Sequence, residues 1–245
     1  MFGAFIIGDE LLVGKREDKH LPFLIGALAK RGLRLAWAHY LGDDPARLTA
    51  ALHRSFGTSD VVFSFGGIGA TPDDHTRQCA AAALGVELEL HAEAEKEIRG
   101  RFGAEVTPQR LQMGEFPVGA SIIPNPVNRI AGFSVREHHF VPGFPQMAWP
   151  MVEWVLDTRY RARFDAQRWK EASILVYEAG ESQLIAAMQA VEAAYKGIKA
   201  FSLPSMGDAG SRIHVELGVR GAPAEVEPAM DKLRALVRAA GFPYK

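Results

Sequence analysis

Apolar runs and helical stripes alternate along the first half of the chain. Residues Phe2–Ile7 are almost wholly apolar and stop at Gly8-Asp9-Glu10, the pattern of a strand buried on both faces. Across residues 19–30 the positions Leu21, Leu24, Ile25 and Leu28 recur at helical spacing, and Gly32 follows where a helix end favours glycine. A second strand is expected over residues 33–40. Gly42-Asp43-Asp44-Pro45 is then a turn, in which Asp44 caps a helix with Pro45 at its first position, continuing through Leu48, Leu52 and Phe56. Val61–Phe65 reads as a third buried strand and the alanine-rich Thr76–Leu84 as the helix after it. This alternation predicts an α/β domain of three layers, a mainly parallel sheet with helices on both faces.

The texture changes from Thr107 onward. Residues 116–145 are rich in proline, glycine and β-branched side chains, with short runs at Ser121–Ile123, Gly132–Val135 and 139–141. They are expected to form a small β-rich excursion before a helix over residues 146–156. That closes a first domain at residues 1–157. Residues 158–170 carry Arg159, Arg161, Arg163 and Arg168 and read as a solvated linker rather than a nucleic-acid patch. Residues 171–245 then show strand 172–177, helix 181–195, strands 199–203 and 212–219, and helix 224–240, the β-α-β-β-α order of a small C-terminal α+β domain.

Composition narrows the function classes. With 48% hydrophobic and 23% charged residues in 245, the chain has an ordinary globular balance. A net charge of −1 gives no global field favouring nucleic acid or an anionic membrane. The one cysteine, Cys79, excludes an internal disulfide, fits a reducing compartment and reads as a small buried hydrophobe. No run approaches the roughly eighteen apolar residues of a membrane span, and the N-terminal stretch lacks the length and basic flank of a signal peptide. A cytoplasmic protein is expected.

The richest chemistry lies in Ser64-Phe65-Gly66-Gly67-Ile68-Gly69-Ala70-Thr71-Pro72-Asp73-Asp74-His75-Thr76. Strand, glycine turn and helix start is where α/β proteins hold phosphate, because unpaired amides point outward there. Two neighbouring carboxylates would repel that phosphate unless a divalent cation lay between them. Thr71-Pro72-Asp73-Asp74 is equally a helix start, with Thr71 as N-cap and Asp74 closing a capping box. The pair His138-His139 reads as structural, since neighbours on a strand face opposite ways. Ser64, Ser121, Ser202, Ser205 and Ser211 show no nucleophile-elbow pattern.

Gly66-Gly67-Ile68-Gly69 followed by Asp73-Asp74 and Thr76 resembles the signature of the molybdopterin-binding (MoaB/Mog-like) superfamily, and within it the N-terminal region of competence/damage-inducible CinA proteins. Gly8-Asp9-Glu10-Leu11-Leu12 with Gly14 resembles the family's opening strand and loop, and Gly42-Asp43-Asp44 its second acidic turn. Pro117, Gly119-Ala120, Asn125 and Pro142-Gly143-Phe144-Pro145 resemble its distal motifs, so the likeness spans residues 1–155. The second unit, with Gly180-Glu181-Ser182 opening its helix, resembles the small domain that follows in CinA-type proteins. No segment resembles their terminal amidohydrolase domain, so deamidation of nicotinamide mononucleotide is not expected.

The resemblance implies a pocket at the strand C-termini and a homo-oligomer. It implies Mg2+ or another divalent cation held by Asp43, Asp74 and Glu10, with Asp43 and Asp74 catalytic. Glu10 and Asp9 either add ligands or cap the loop. Substrate would contact Gly66, Gly67, Gly69, Thr71, Thr76, Asn125, Pro142 and Gly143. In Mog-like relatives the matching acids serve adenylyl transfer to molybdopterin in molybdenum cofactor biosynthesis; in CinA-type relatives the pocket is linked to metal-dependent cleavage of ADP-ribose. A nucleotide or pterin ligand is therefore expected, bound either by an ADP-ribose-type pyrophosphatase or by a non-catalytic protein. Three positions depart from the CinA pattern. Asp18-Lys19-His20 replaces Asp-Thr-Asn. Asn128-Arg129-Ile130-Ala131 replaces a loop of small residues, Arg129 either pairing with phosphate or blocking the pocket. Gln146-Met147 stands where Glu-Met is usual.

Overall fold

The opening apolar run forms β1 (Phe2–Ile7), all six residues of which are buried. It leads into a single helical turn, α1 (Asp9–Leu12), then α2 (His20–Ala29), β2 (Leu35–Leu41), α3 (Pro45–Phe56), β3 (Val61–Phe65) and α4 (Thr76–Leu84). β4 (Leu88–Leu90), α5 (Ala92–Phe102), α6 (Pro108–Gln112) and β5 (Glu115–Pro117) follow, then β6 (Ser121–Ile123), β7 (Gly132–Val135), β8 (His138–Val141) and α7 (Pro145–Arg159). The second unit contains β9 (Lys170–Tyr177), α8 (Glu181–Ala194), β10 (Lys199–Ser205), β11 (His214–Gly221) and α9 (Pro223–Ala239). This computed structural model describes residues 1–164, 169–207 and 212–245. Arg168 and Ser211, named above, lie outside them.

The chain divides into units of residues 1–164 and 165–245. In the first, a six-stranded sheet runs β2-β1-β3-β8-β7-β6. β1 is parallel to β2 and β3, and β3 is parallel to β8, whereas β7 is antiparallel to β8 and β6 is antiparallel to β7. The β-rich stretch thus joins the main sheet, while β4 and β5 pair separately. Alternate residues of the central strands feed opposite faces. Phe2, Ala4, Ile6, Phe63 and Phe65 pack with Leu24 and Leu28 of α2 and Met151, Val152 and Val155 of α7. Phe5, Ile7 and Val62 pack with Leu48 and Leu52 of α3 and Cys79, Ala80 and Ala83 of α4. Burial on both faces is why these strands read as continuous apolar runs. The result is the expected three-layer α/β fold.

Asp44 caps α3, its carboxylate accepting from Arg47 N–H at 2.7 Å, with Pro45 in the first turn. α7 continues through Thr158 and Arg159, and Tyr160 is buried in the same core, so residues 158–160 belong to the folded first unit rather than to a linker. In the second unit β11 lies between β10 and β9 in an antiparallel sheet. Val176, Leu217 and Val219 pack there with Leu184, Val226, Met230 and Leu233.

Candidate functional site: a cavity at the carboxyl edge of the sheet

Because β1, β2, β3 and β8 are mutually parallel, the loops leaving them emerge at one edge, the usual ligand side of an open α/β sheet. Gly8 after β1 donates to Leu41 O at the end of β2, and Gly66 after β3 donates to Val141 O at the end of β8, each at 3.0 Å. These loops enclose a cavity of about 730 Å³. Of the expected site residues, Glu10, Asp43, Gly66, Gly67, Gly69, Thr71, Asp74, Asn125, Pro142 and Gly143 all line it. A shallow depression of about 600 Å³ on α3 and α4 lies away from all of them.

The glycine turn is built around close approaches. Gly66 and Gly67 have φ of 101° and 68°, a region that disfavours side chains. A Cβ on Gly66 would strike Ile7 O, and one on Gly67 would strike Thr76 Oγ1. Among the described residues, the N–H groups of Gly67, Ile68, Gly69 and Ala70 find no acceptor within the chain, leaving donors for an anion.

Thr76 is the one expected contact that does not line the cavity. It is fully buried beneath the turn, donating from Oγ1 to Gly66 O at 3.1 Å and from N–H to Gly67 O at 2.9 Å. Its role is to brace the turn. The helix starts at Thr76 rather than at Pro72, so Asp74 closes no capping box. Instead Asp74 Oδ2 accepts from Thr71 N–H at 2.9 Å and Thr71 Oγ1 at 2.5 Å, closing a separate turn.

Asp43 and Asp9 grip each other's backbones. Asp9 N–H donates to Asp43 Oδ2 at 2.9 Å, and Asp43 N–H donates to Asp9 Oδ1 at 3.2 Å. Burial, together with the charges of Asp9, Glu10 and Asp73, holds Asp43 above the usual carboxylate range. This is a crowded negative wall that a cation would relieve. Among the described residues, no three His, Cys, Asp or Glu side chains are already grouped around one point. Mg2+ commonly takes one or two carboxylates and completes its shell with water and phosphate oxygens. The acids lining this cavity fit that mode, not an all-protein cage.

The three departures have structural answers. His20 is buried and stacked on Phe65 at 4.6 Å. Its Nε2 donates to Gly143 O at 3.1 Å, so the imidazole supports the Pro142-Gly143 turn from behind. Burial lowers its proton affinity and favours the neutral ring. Arg129 neither fills the cavity nor lines it. It turns outward to Glu97, with Nε 2.7 Å from the carboxylate, from a backbone at φ 62°. Met147 faces the main cavity, whereas Gln146 faces an adjoining one of about 480 Å³.

Asn125 is spent internally. Its Nδ2 donates to Ile130 O at 2.9 Å, and its Oδ1 accepts from Val127 N–H at 3.1 Å, shaping the loop that carries Asn128 and Ala131 into the lining. His138 and His139 face opposite sides of the sheet, toward Ser55 and Tyr160 respectively.

Arg77 had no mark in the sequence beyond its place at the start of α4. It is buried, and its guanidinium donates to Gly69 O at 2.7 Å, to Glu115 O at 3.3 Å and to Gln112 O. Lys15 and Arg16 also line the cavity, bringing cations to the same space as the acids. Their signal was adjacency, two basic residues directly after Gly14.

An α/β sheet with a glycine-turn cavity at its carboxyl edge defines the class. The sequence profile of a family described as "Probable molybdopterin binding domain" matches residues 3–162, and the chain belongs to that family. A CinA-like protein of Anaeromyxobacter sp. (strain Fw109-5) is 41% identical over 132 residues, covering 53% of this chain and 32% of its own length. Another, of Citrifermentans bemidjiense, is 33% identical over 186 residues, covering 73% of this chain and 44% of its own length. The chain thus spans less than half the length of these curated relatives. The crystal structure of CinA from Thermoplasma acidophilum superposes with a TM-score of 0.59 at 27% identity, covering 64% of this chain and 95% of that one. The chain therefore carries a molybdopterin-binding fold and is similar to CinA-like proteins over that region.

Proposed function

We propose that the chain cleaves the pyrophosphate link of an ADP-ribose-like nucleotide with the help of a divalent cation such as Mg2+. One observation carries this reading: unpaired amides of the glycine turn and the carboxylates of Glu10, Asp43 and Asp74 face the same cavity. The amides of Gly67, Ile68 and Gly69 would cradle phosphate, while Lys15 offsets its remaining charge. Asp43 and Asp74 would hold the cation, with Glu10 beside them. When bound, that cation would polarise a phosphoryl oxygen and neutralise charge on the leaving phosphate. Thr76, Arg77 and His20 keep the loops in place without touching the ligand. Incubating the purified protein with ADP-ribose and Mg2+ should release AMP, and Asp74→Ala should abolish it. AMP release no greater than that of the variant ends the proposal.

The departures from the CinA pattern at Asp18-Lys19-His20, at Asn128-Arg129-Ile130-Ala131 and at Gln146 favour a second reading, a non-catalytic binder of a nucleotide or molybdopterin. It predicts saturable binding by calorimetry with no turnover. An adenylyltransferase acting on molybdopterin would instead consume ATP and release pyrophosphate.

A further inference from the structure

The glycine-turn cavity does not end at its own wall. The adjoining cavity of about 480 Å³ shares Ile7, Glu10, Arg16, Gly143 and Phe144 with it, so the two are chambers of one cleft. Two side chains on this boundary are poorly engaged by the protein. Arg16 is 66% exposed, and its contact with Glu10 is long, at 3.9 Å. Phe144, at the N-terminus of α7, is 55% exposed although aromatic.

The second chamber has its own chemistry. Its lining includes the stacked pair Phe65 and His20. Asp18, on its wall, is consumed by His20 N–H, Leu21 N–H and Tyr40 OH. Glu17 and Gln146 are available for a ligand, and carboxylate and amide oxygens are natural acceptors for hydroxyl groups. A guanidinium at the junction suits bidentate contact with a phosphate.

We propose that this second chamber is the subsite for the half of a two-part nucleotide lying beyond its pyrophosphate. Arg16 grips the distal phosphate, Phe144 covers a ring at the junction, and Glu17 and Gln146 take hydroxyls of the sugar. Arg16 and Phe144 thereby select two-part ligands over mononucleotides. This rests on the reading that the glycine turn takes phosphate.

The test is calorimetry with Mg2+, comparing AMP with an ADP-ribose analogue whose anhydride oxygen is replaced by methylene and which cannot be cleaved. Wild type should bind the analogue about tenfold tighter than AMP. Arg16→Ala and Phe144→Ala should each cut that margin to under about threefold while leaving AMP affinity within about twofold, and Arg16→Lys should restore part of it. If AMP binds and the analogue binds no tighter, or if the margin survives both substitutions, the subsite is wrong and the phosphate reading stands. If neither ligand binds wild type, both fall together.

Discussion

Arg77 reaches beneath the glycine turn and donates to Gly69 O at 2.7 Å from a buried position on α4. The same guanidinium holds Glu115 O and Gln112 O, so one side chain ties the turn to the segment entering β5. Burial opposes its charge, and the carboxylates of Glu115 and Asp74 favour it. Arg77→Met keeps the bulk but strands three carbonyl oxygens. The expected cost is about 3 kcal/mol, from charged hydrogen bonds lost and acceptors left unpaired. Urea denaturation measures it, and a loss below about 1 kcal/mol would show the guanidinium to be dispensable.

Gly67 and Thr76 make a second checkable pair. A side chain at Gly67 meets both a left-handed backbone at φ 68° and the Thr76 hydroxyl. Gly67→Ala should cost about 1–2 kcal/mol from backbone strain alone, with the clash in addition. Thr76→Ala costs about 1 kcal/mol through the lost bond to Gly66 O. The double variant should be less destabilised than the sum of the two, because removing Oγ1 relieves the clash and leaves only the strain. Strict additivity in a double-mutant cycle would contradict the placement of Thr76 under the turn.

Legibility in the sequence followed burial. β1 and β3 could be read directly because both faces are covered, leaving runs with scarcely a polar residue. α5 gave no such signal: only Ala94 and Ile98 of its eleven residues are buried. The cavity lining was readable because each strand ends in a marked turn, and parallel strands bring their turns to one edge. The braces were not. Gly69 O and Arg77 meet only once α4 folds back over the turn. Thr71-Pro72-Asp73-Asp74 satisfies a helix cap and a closed turn with the same donors and acceptor, and local chemistry does not separate them.

The histidine pair predicts acid sensitivity. Burial and the charge of Arg136 push His138 down to about 4; burial and Arg159 push His139 down to about 3. His139 is neutral between Ser134 Oγ at 2.8 Å and Tyr160 OH at 2.6 Å, the latter donating onward to Glu137. In the unfolded chain both rings take up protons near pH 6.5, so below that pH the unfolded state binds more protons than the folded one. Stability is therefore full above about pH 6.5 and falls as the pH drops toward 4, by up to about 1.4 kcal/mol per pH unit for each ring. Urea midpoints between pH 7.5 and 4.5 should show this slope, and His138→Asn should roughly halve it. A flat profile would mean that the rings are not held neutral.

Asp43 separates charge from hydrogen bonding. Asp43→Asn keeps an oxygen for Asp9 N–H and removes one charge from the wall formed with Asp9, Glu10 and Asp73. Thermal stability without metal should hold or rise, since like-charge repulsion is relieved. Stabilisation of the wild type by millimolar Mg2+ and ADP-ribose, read by differential scanning fluorimetry, should disappear in the variant. An equal Mg2+-dependent shift in both proteins would place the cation elsewhere.

Arg129 tests whether departure from the family's small-residue loop matters to the cavity. Its backbone sits at φ 62°, which costs a non-glycine residue about 1 kcal/mol. Its solvent-exposed ion pair with Glu97 returns little, because water and salt screen it. Arg129→Gly removes both, so net stability should change by less than about 1 kcal/mol, whereas Arg129→Ala keeps the strain and loses the pair, making it the less stable variant. Because the guanidinium points away from the lining, AMP affinity should be the same in wild type and Arg129→Gly. A marked loss of affinity in the glycine variant would mean that Arg129 swings inward to meet phosphate, and the outward pairing with Glu97 would then describe only the ligand-free loop.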